Sequence, residues 1–213
     1  MAKTTLMAPP MTLSSAFETV YKTNAWQAGW SSGPGSGLSS TGAYREYLQQ
    51  LMWRENITRV VDLGCGLWEH LAGVNWEGIS YLGIDLVADV IKHNQEKHTT
   101  DTRQFMVGSI DDVPNLATTG LVIVKDVFQH LPNADIIALL TKLKAAPLLL
   151  VTNDITYAPN KDCVAGRWRE LNLESSPFHV RPEQRFDFQS APFVKRSLLI
   201  RNRKSPAVTE DSI

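Results

Sequence analysis

Val60-Val61-Asp62-Leu63-Gly64-Cys65-Gly66-Leu67-Trp68-Glu69-His70 (VVDLGCGLWEH, residues 60–70) runs from β-branched apolar residues into an acid, two glycines one residue apart, and a large aromatic. The apolar half reads as a buried strand. The glycines read as a turn at its carboxyl end, where a backbone without Cβ atoms admits a close approach. Working outward, 79–87 (ISYLGIDLV), 102–110 (TRQFMVGSI), 120–127 (GLVIVKDV) and 146–154 (APLLLVTND) have the same strand character. Apolar residues recur at helical spacing in 41–56, with Tyr44, Tyr47, Leu48, Leu51 and Met52 on one face, and helices are expected at 87–97 and 133–145. Strands alternating with helices imply right-handed crossovers and a mainly parallel sheet covered on both faces. Two further strands, 183–191 and 194–202, close the sheet as an antiparallel hairpin. The fold class is α/β, a doubly wound, mainly parallel sheet.

In such a sheet the glycines fall at the first strand-to-helix turn, beside the reversal of strand order where ligands bind. Asp85, at the end of the next strand, stands where a carboxylate would accept hydrogen bonds from ribose hydroxyls. A dinucleotide fits poorly: Leu67, Trp68 and Glu69 follow Gly66 where a third small residue and a free helix N-terminus would serve a pyrophosphate. A ligand with a ribose and no phosphate fits better, and S-adenosylmethionine is the obvious one.

The ordered motifs VVDLGCG, YLGIDLV, FMVGSIDDVP and LVIVKDVFQHLP resemble those of class I S-adenosylmethionine-dependent methyltransferases, over about residues 41 to 155. That resemblance implies a Rossmann-like fold and S-adenosylmethionine as cofactor. It implies that Asp62, Gly64 and Gly66 hold the methionine moiety, Asp85 the ribose and Leu86 the adenine. It puts Ser109 where the family often has an acid for the adenine amino group, with Ile110 beside it. Asp111 is the other candidate acceptor for that amino group, with plain surface acids the alternative reading of Asp111 and Asp112. The stretch 24–37 (NAWQAGWSSGPGSG) is similar to an N-terminal Ser-Gly-Pro-Gly-Ser element of a bacterial and phage subgroup. Backbone amides at Gly33, Gly35 and Ser36 would form an anion nest, with Arg45 a further donor to the cofactor; a plain linker is the alternative.

For the chemistry, Lys125, Asp126, Gln129 and His130 stand at the end of the fourth strand, with Lys125 a cofactor contact. His130 is the candidate base because an imidazole titrates near neutral pH; local packing is the alternative, and Asp126 the second catalytic candidate. Asn153 and Asp154 point to the same rim, and Trp26 joins them as a substrate contact. Residues 156–182 form an insert in which Arg167 and Arg169 either clamp an anionic or sugar-like acceptor or pair with Glu170 and Glu174.

The whole chain bounds these readings. Its 213 residues, 43% of them hydrophobic, suit one domain. We expect a flexible leader over 1–15 and a domain over 16–203, made of a lid segment at 16–40, a cofactor-binding core at 41–155, the insert and a terminal hairpin at 183–203. A flexible tail at 204–213 follows. A net charge of −1 does not favour a nucleic-acid partner. Two cysteines point to no disulfide framework and no metal site, and no apolar run suggests a membrane or secretion signal, so a cytoplasmic protein is expected. The function expected is methyl transfer to a small-molecule acceptor, most readily at oxygen. An RNA or protein methyltransferase and a non-catalytic cofactor-binding module are the alternatives; no Asn-Pro-Pro-Tyr-type motif for base amino groups occurs.

Overall fold

The computed structural model describes residues 12–26, 32, 33, 37, 40–190 and 192–202. Four α-helices, α1 (Leu13–Thr23), α2 (Gly42–Arg54), α3 (Ala88–His98) and α4 (Asn133–Leu143), accompany seven strands. The strands are β1 (Arg59–Leu63), β2 (Ser80–Asp85), β3 (Arg103–Val107), β4 (Leu121–Lys125), β5 (Leu148–Asp154), β6 (Gln184–Ser190) and β7 (Phe193–Arg201). They form one sheet in the order β3-β2-β1-β4-β5-β7-β6. Pairings are parallel from β3 through β5, and β7 lies antiparallel between β5 and β6. The order reverses between β1 and β4, which fixes where a ligand crevice opens.

α1 begins within the stretch read as a leader, because the Thr12 side chain accepts from Ser15 N–H, and Asn24 closes the other end in the left-handed conformation. A larger difference follows β1. The sequence reading put the glycines before a helix, whereas the crossover to β2 contains only a three-residue 3-10 helix at Glu69–Leu71. Leu67, Leu71 and Val74 do repeat at helical spacing, but Trp68 takes a positive φ of 64° that breaks any helix there.

Strand parity sorts the sheet into two faces. Val60, Tyr81, Ile123, Leu150 and Leu199 pack with Tyr44, Leu48 and Met52 of α2, whereas Val61, Ile84, Val124, Val151 and Leu198 pack with Ile136 and Leu143 of α4. Asp62, Lys125, Asp154 and Lys195 share the parity of the α2 face. No helix among the described residues is long and apolar enough to cross a membrane.

Candidate active site

The turn after β1 is drawn tight by Ile84, whose carbonyl accepts from the N–H groups of Gly64 at 2.8 Å and Cys65 at 3.1 Å. Gly64 and Gly66 have φ of 75° and 53°, a region open to glycine at little cost. A Cβ on Gly64 would lie 2.4 Å from Val127 Cγ2, and one on Gly66 would lie 2.2 Å from Ser32 Oγ. The missing side chains therefore admit the protein's own Val127 and Ser32, while a cavity opens alongside. Ser32 holds its place by accepting from Leu67 N–H at 2.7 Å and by a 3.1 Å hydroxyl contact with Tyr21.

Asp85, in the wall of that cavity, accepts from Gly66 N–H at 3.1 Å and Val87 N–H at 3.0 Å. Burial raises its pKa above the usual carboxylate range, and the backbone N–H donors only partly oppose this. The cavity measures about 1000 Å³ with its open mouth, and its apolar walls include Leu63, Ile84, Leu86, Ile110 and Leu139. Lys125 is the lysine in this wall, and its Nζ donates to Asp126 Oδ2. Ser109 also lines the cavity; it caps the following turn, accepting from Asp111 N–H, while Asp112 accepts from Ser109 N–H at 2.7 Å. Asp111 pairs with Lys142 on the surface, so neither acid is free for a ligand.

Trp26 and His130 belong to both this cavity and a neighbouring one of about 830 Å³. Their rings lie 4.8 Å apart, and Phe17 meets His130 edge-on at 6.4 Å. His130 Nδ1 has no hydrogen-bond partner among the described residues. Burial is the main cause that lowers the His130 pKa to about 4, outweighing Asp126 and a hydrogen bond to the Arg167 backbone, so the ring is neutral at pH 7. The floor of the second cavity is an ion network. Lys195, 2% exposed, donates to Asp126 Oδ1 at 2.7 Å and Asp154 Oδ1 at 2.6 Å. Asp154 Oδ2 accepts from Trp168 Nε1 at 2.9 Å and Gln129 Nε2 at 3.2 Å. Burial opposes the charge on Asp126, but Lys125 and Lys195 outweigh it and hold the pKa at about 2.

The residues expected from sequence divide accordingly. Gly64, Gly66, Asp85, Leu86, Ser109, Ile110 and Lys125 line the first cavity, Gly33 and Asp154 the second, and Trp26, Asp126 and His130 both. Gly35 and Ser36 lie outside the described residues. Asp62 is fully buried behind the turn, taking a 2.7 Å hydrogen bond from Tyr81. Arg45 bonds Thr41 and lines neither cavity. Asn153 points to the α4 side of the sheet, one residue out of phase with Asp154. Arg169 donates to the Leu131 carbonyl at 2.8 Å and staples the insert to the end of β4, and Arg167 is exposed away from both cavities. Glu174 pairs with Arg185 and Arg196 instead of either insert arginine. Sequence reading missed Lys195, Ser190 and His70. Lys195 had a signal: it is a lysine at the inward parity of a strand in VKRSLLIRN.

No protein-family model matches this chain, and no curated protein sequence matches it. Solved structures are similar in fold. Magnesium protoporphyrin IX methyltransferase from Synechocystis PCC 6803, with bound SAM, has a TM-score of 0.65 at 12% identity, over 91% of this chain and 98% of that one. The 1,6-didemethyltoxoflavin N1-methyltransferase of Burkholderia thailandensis, with bound 1,6-didemethyltoxoflavin and S-adenosylhomocysteine, has 0.65 at 14%, over 92% of each chain. A structure described as conversion of a disulfide bond into a thioacetal group during echinomycin biosynthesis has 0.62 at 15%, over 91% and 95%. These likenesses show that the chain has the Rossmann-like fold of such methyltransferases.

Proposed function

We propose that the protein is an S-adenosylmethionine-dependent methyltransferase that acts on the oxygen of a small-molecule acceptor. The observation that carries this reading is the pair of cavities joined at Trp26 and His130, the first an apolar slot with a part-buried carboxylate at the end of β2. The slot suits an uncharged adenosine and a cationic sulfur. A phosphate would want a cation, but Lys125 is bound to Asp126, and the turn after β1 leads into no α-helix whose N-terminus could serve instead. Asp126 and Asp154 are matched by the buried ammonium groups of Lys125 and Lys195, whereas the part-buried Asp85 has no ammonium partner among the described residues, and this surplus of acid favours a positive ligand.

In this reading Asp85 accepts from the ribose hydroxyls with its remaining lone pairs, Leu86 and Ile110 flank the adenine, and Ser109 meets its amino group. The segment 16–40, with its Ser-Gly-Pro-Gly-Ser element, covers the cofactor, an arrangement supported by Ser32 on the glycine turn. When bound, the cofactor supplies a methyl group on a positively charged sulfur. His130 takes the acceptor's hydroxyl proton on Nδ1 while the oxygen gains the methyl, and Lys125 and Lys195 fix Asp126 beside it. Much of the rate comes from holding the acceptor in line and excluding water. One domain over 16–203 in the cytoplasm completes the proposal.

The test is formation of S-adenosylhomocysteine when the protein is incubated with S-adenosylmethionine and panels of small hydroxylated compounds, RNA and protein. Turnover confined to the small molecules supports the proposal. Turnover only with RNA or protein would replace it with the macromolecular reading, and cofactor binding with no turnover on any panel would favour a binding module.

A further inference from the structure

The second cavity narrows the chemistry of its occupant; this step rests on the methyltransferase reading. Its walls carry four rings. Trp26 and His130 form one pair, and Trp168 and Phe193, with centroids 4.8 Å apart and planes at 43°, form another. Rings favour offset or edge contact with a further flat ring.

The charges on its floor are already engaged. Lys195 is committed to Asp126 and Asp154, and both Asp154 oxygens have donors. Gln129 is committed as well, since its Oε1 accepts from Asp154 N–H at 2.9 Å. An anionic acceptor would find no available cation among the described residues of these walls, because Lys195 is engaged and Arg167 and Arg169 lie outside them. A cationic acceptor would have to displace Lys195 from its two carboxylates.

Three buried polar atoms in the same walls have no partner among the described residues: Ser190 Oγ, His130 Nδ1 and Trp26 Nε1. Ser190 is 2% exposed. Buried polar groups are paired in native proteins, so these atoms mark where the polar edges of a ligand belong. Ser190 ends β6 at the hairpin, and His130 lies across the cavity at the end of β4.

We infer that the acceptor is a neutral, flat aromatic or heteroaromatic compound with two polar groups, a hydroxyl met by His130 Nδ1 and a second group met by Ser190 Oγ. Ser190 is the specificity-determining residue, and it selects acceptors with that second group. Trp26 Nε1 is a further donor along the ring edge.

The experiment measures binding by calorimetry, separately from turnover, in protein saturated with S-adenosylhomocysteine. The probes are 7-hydroxycoumarin, with a hydroxyl and a carbonyl on one flat ring system, 2-naphthol, with the hydroxyl alone, and salicylate, an anionic ring. The measurement is made below the pKa of the hydroxycoumarin. We expect 7-hydroxycoumarin to bind about tenfold more tightly than 2-naphthol, as one extra buried hydrogen bond provides, and salicylate to bind most weakly. Ser190→Ala should remove the preference while 2-naphthol affinity stays within about twofold. Tightest binding of salicylate, or an unchanged preference in a Ser190→Ala variant with wild-type melting behaviour, would overturn the inference. If S-adenosylhomocysteine itself fails to bind, the methyltransferase reading fails, and the same probes on the ligand-free protein still decide the claim about the cavity.

Discussion

His130 sits where two cavities meet, as a histidine held neutral by burial. Its pKa of about 4 lies well below the ordinary value of about 6.5. Below pH 6.5 the unfolded chain takes up a proton that the folded chain refuses until about pH 4, so this histidine's contribution to stability falls as pH drops through that window. The size is on the order of 3 kcal/mol. His70, lowered to about 3 chiefly by burial, acts in the same direction, whereas Asp62, raised to about 7 by burial, gains stability as pH falls. His130→Gln should therefore lose less melting temperature than wild type between about pH 7 and about pH 4.5. It should also lower turnover by roughly a hundredfold with cofactor affinity unchanged. Wild-type turnover in that variant would make His130 a packing residue and move the search to Asp126. For Asp85, each charged hydrogen bond to a ribose hydroxyl is worth roughly 1.5–3 kcal/mol, so Asp85→Ala should weaken S-adenosylmethionine binding at least about tenfold by calorimetry. The N–H groups of Gly66 and Val87 lose their acceptor as well, and the variant should melt earlier.

Among the elements, β7 carries the largest consequence. Lys195 is the direct cross-strand partner of Asp154, and two residues on, Ser197 pairs with Thr152 through hydroxyls 2.7 Å apart. Period-2 alternation thus delivers a lysine into the sheet's interior, between two carboxylates that have, among the described residues, no other cation apart from Lys125 on Asp126. Lys195→Met would strand buried charge, which typically costs about 3–5 kcal/mol, and should lower the melting temperature by about 10 °C for a domain of this size. An unchanged melting temperature would mean that Asp126 and Asp154 find other partners. α1 makes a different prediction. Phe17 and Tyr21 present its inner face to the first cavity, and Ser32 of the following segment reaches the glycine turn. Ligand that fills the cavity should slow amide exchange in α1 and at Ser32, Gly33 and Gly37. Equal exchange with and without ligand would return the segment to the role of a linker.

For the molecule as a whole, the parallel part of the sheet was legible in the sequence because β1, β2, β4 and β5 are mostly apolar and each runs into a glycine or an acid, while β6 showed only in the alternation of Phe186 and Phe188 with polar residues. The wall of the first cavity was legible for the same reason, since Asp85, Leu86, Ser109 and Lys125 sit at strand ends that the topology brings to one edge. What the sequence hid were distances across the chain. Nothing local in SSGPGSGLSS says that Ser32 lands on Gly66, and the pairing of Lys195 with Asp126 and Asp154 depends on a register set by β7 entering beside β5. The insert arginines misled because exposed guanidinium groups and structural staples look alike in sequence; the carbonyls of Leu131, far along the chain, and Lys161 show what Arg169 holds. The joined cavities, the acid surplus and the carboxylate at the end of β2 make one central claim, that the chain binds S-adenosylmethionine and its demethylated product. The most direct test is calorimetric titration of the full chain with S-adenosylhomocysteine. The account predicts a single site with a dissociation constant of about 100 μM or tighter, which corresponds to about 5.5 kcal/mol. No measurable heat at millimolar ligand, from protein whose circular dichroism and cooperative melt show it folded, would contradict it.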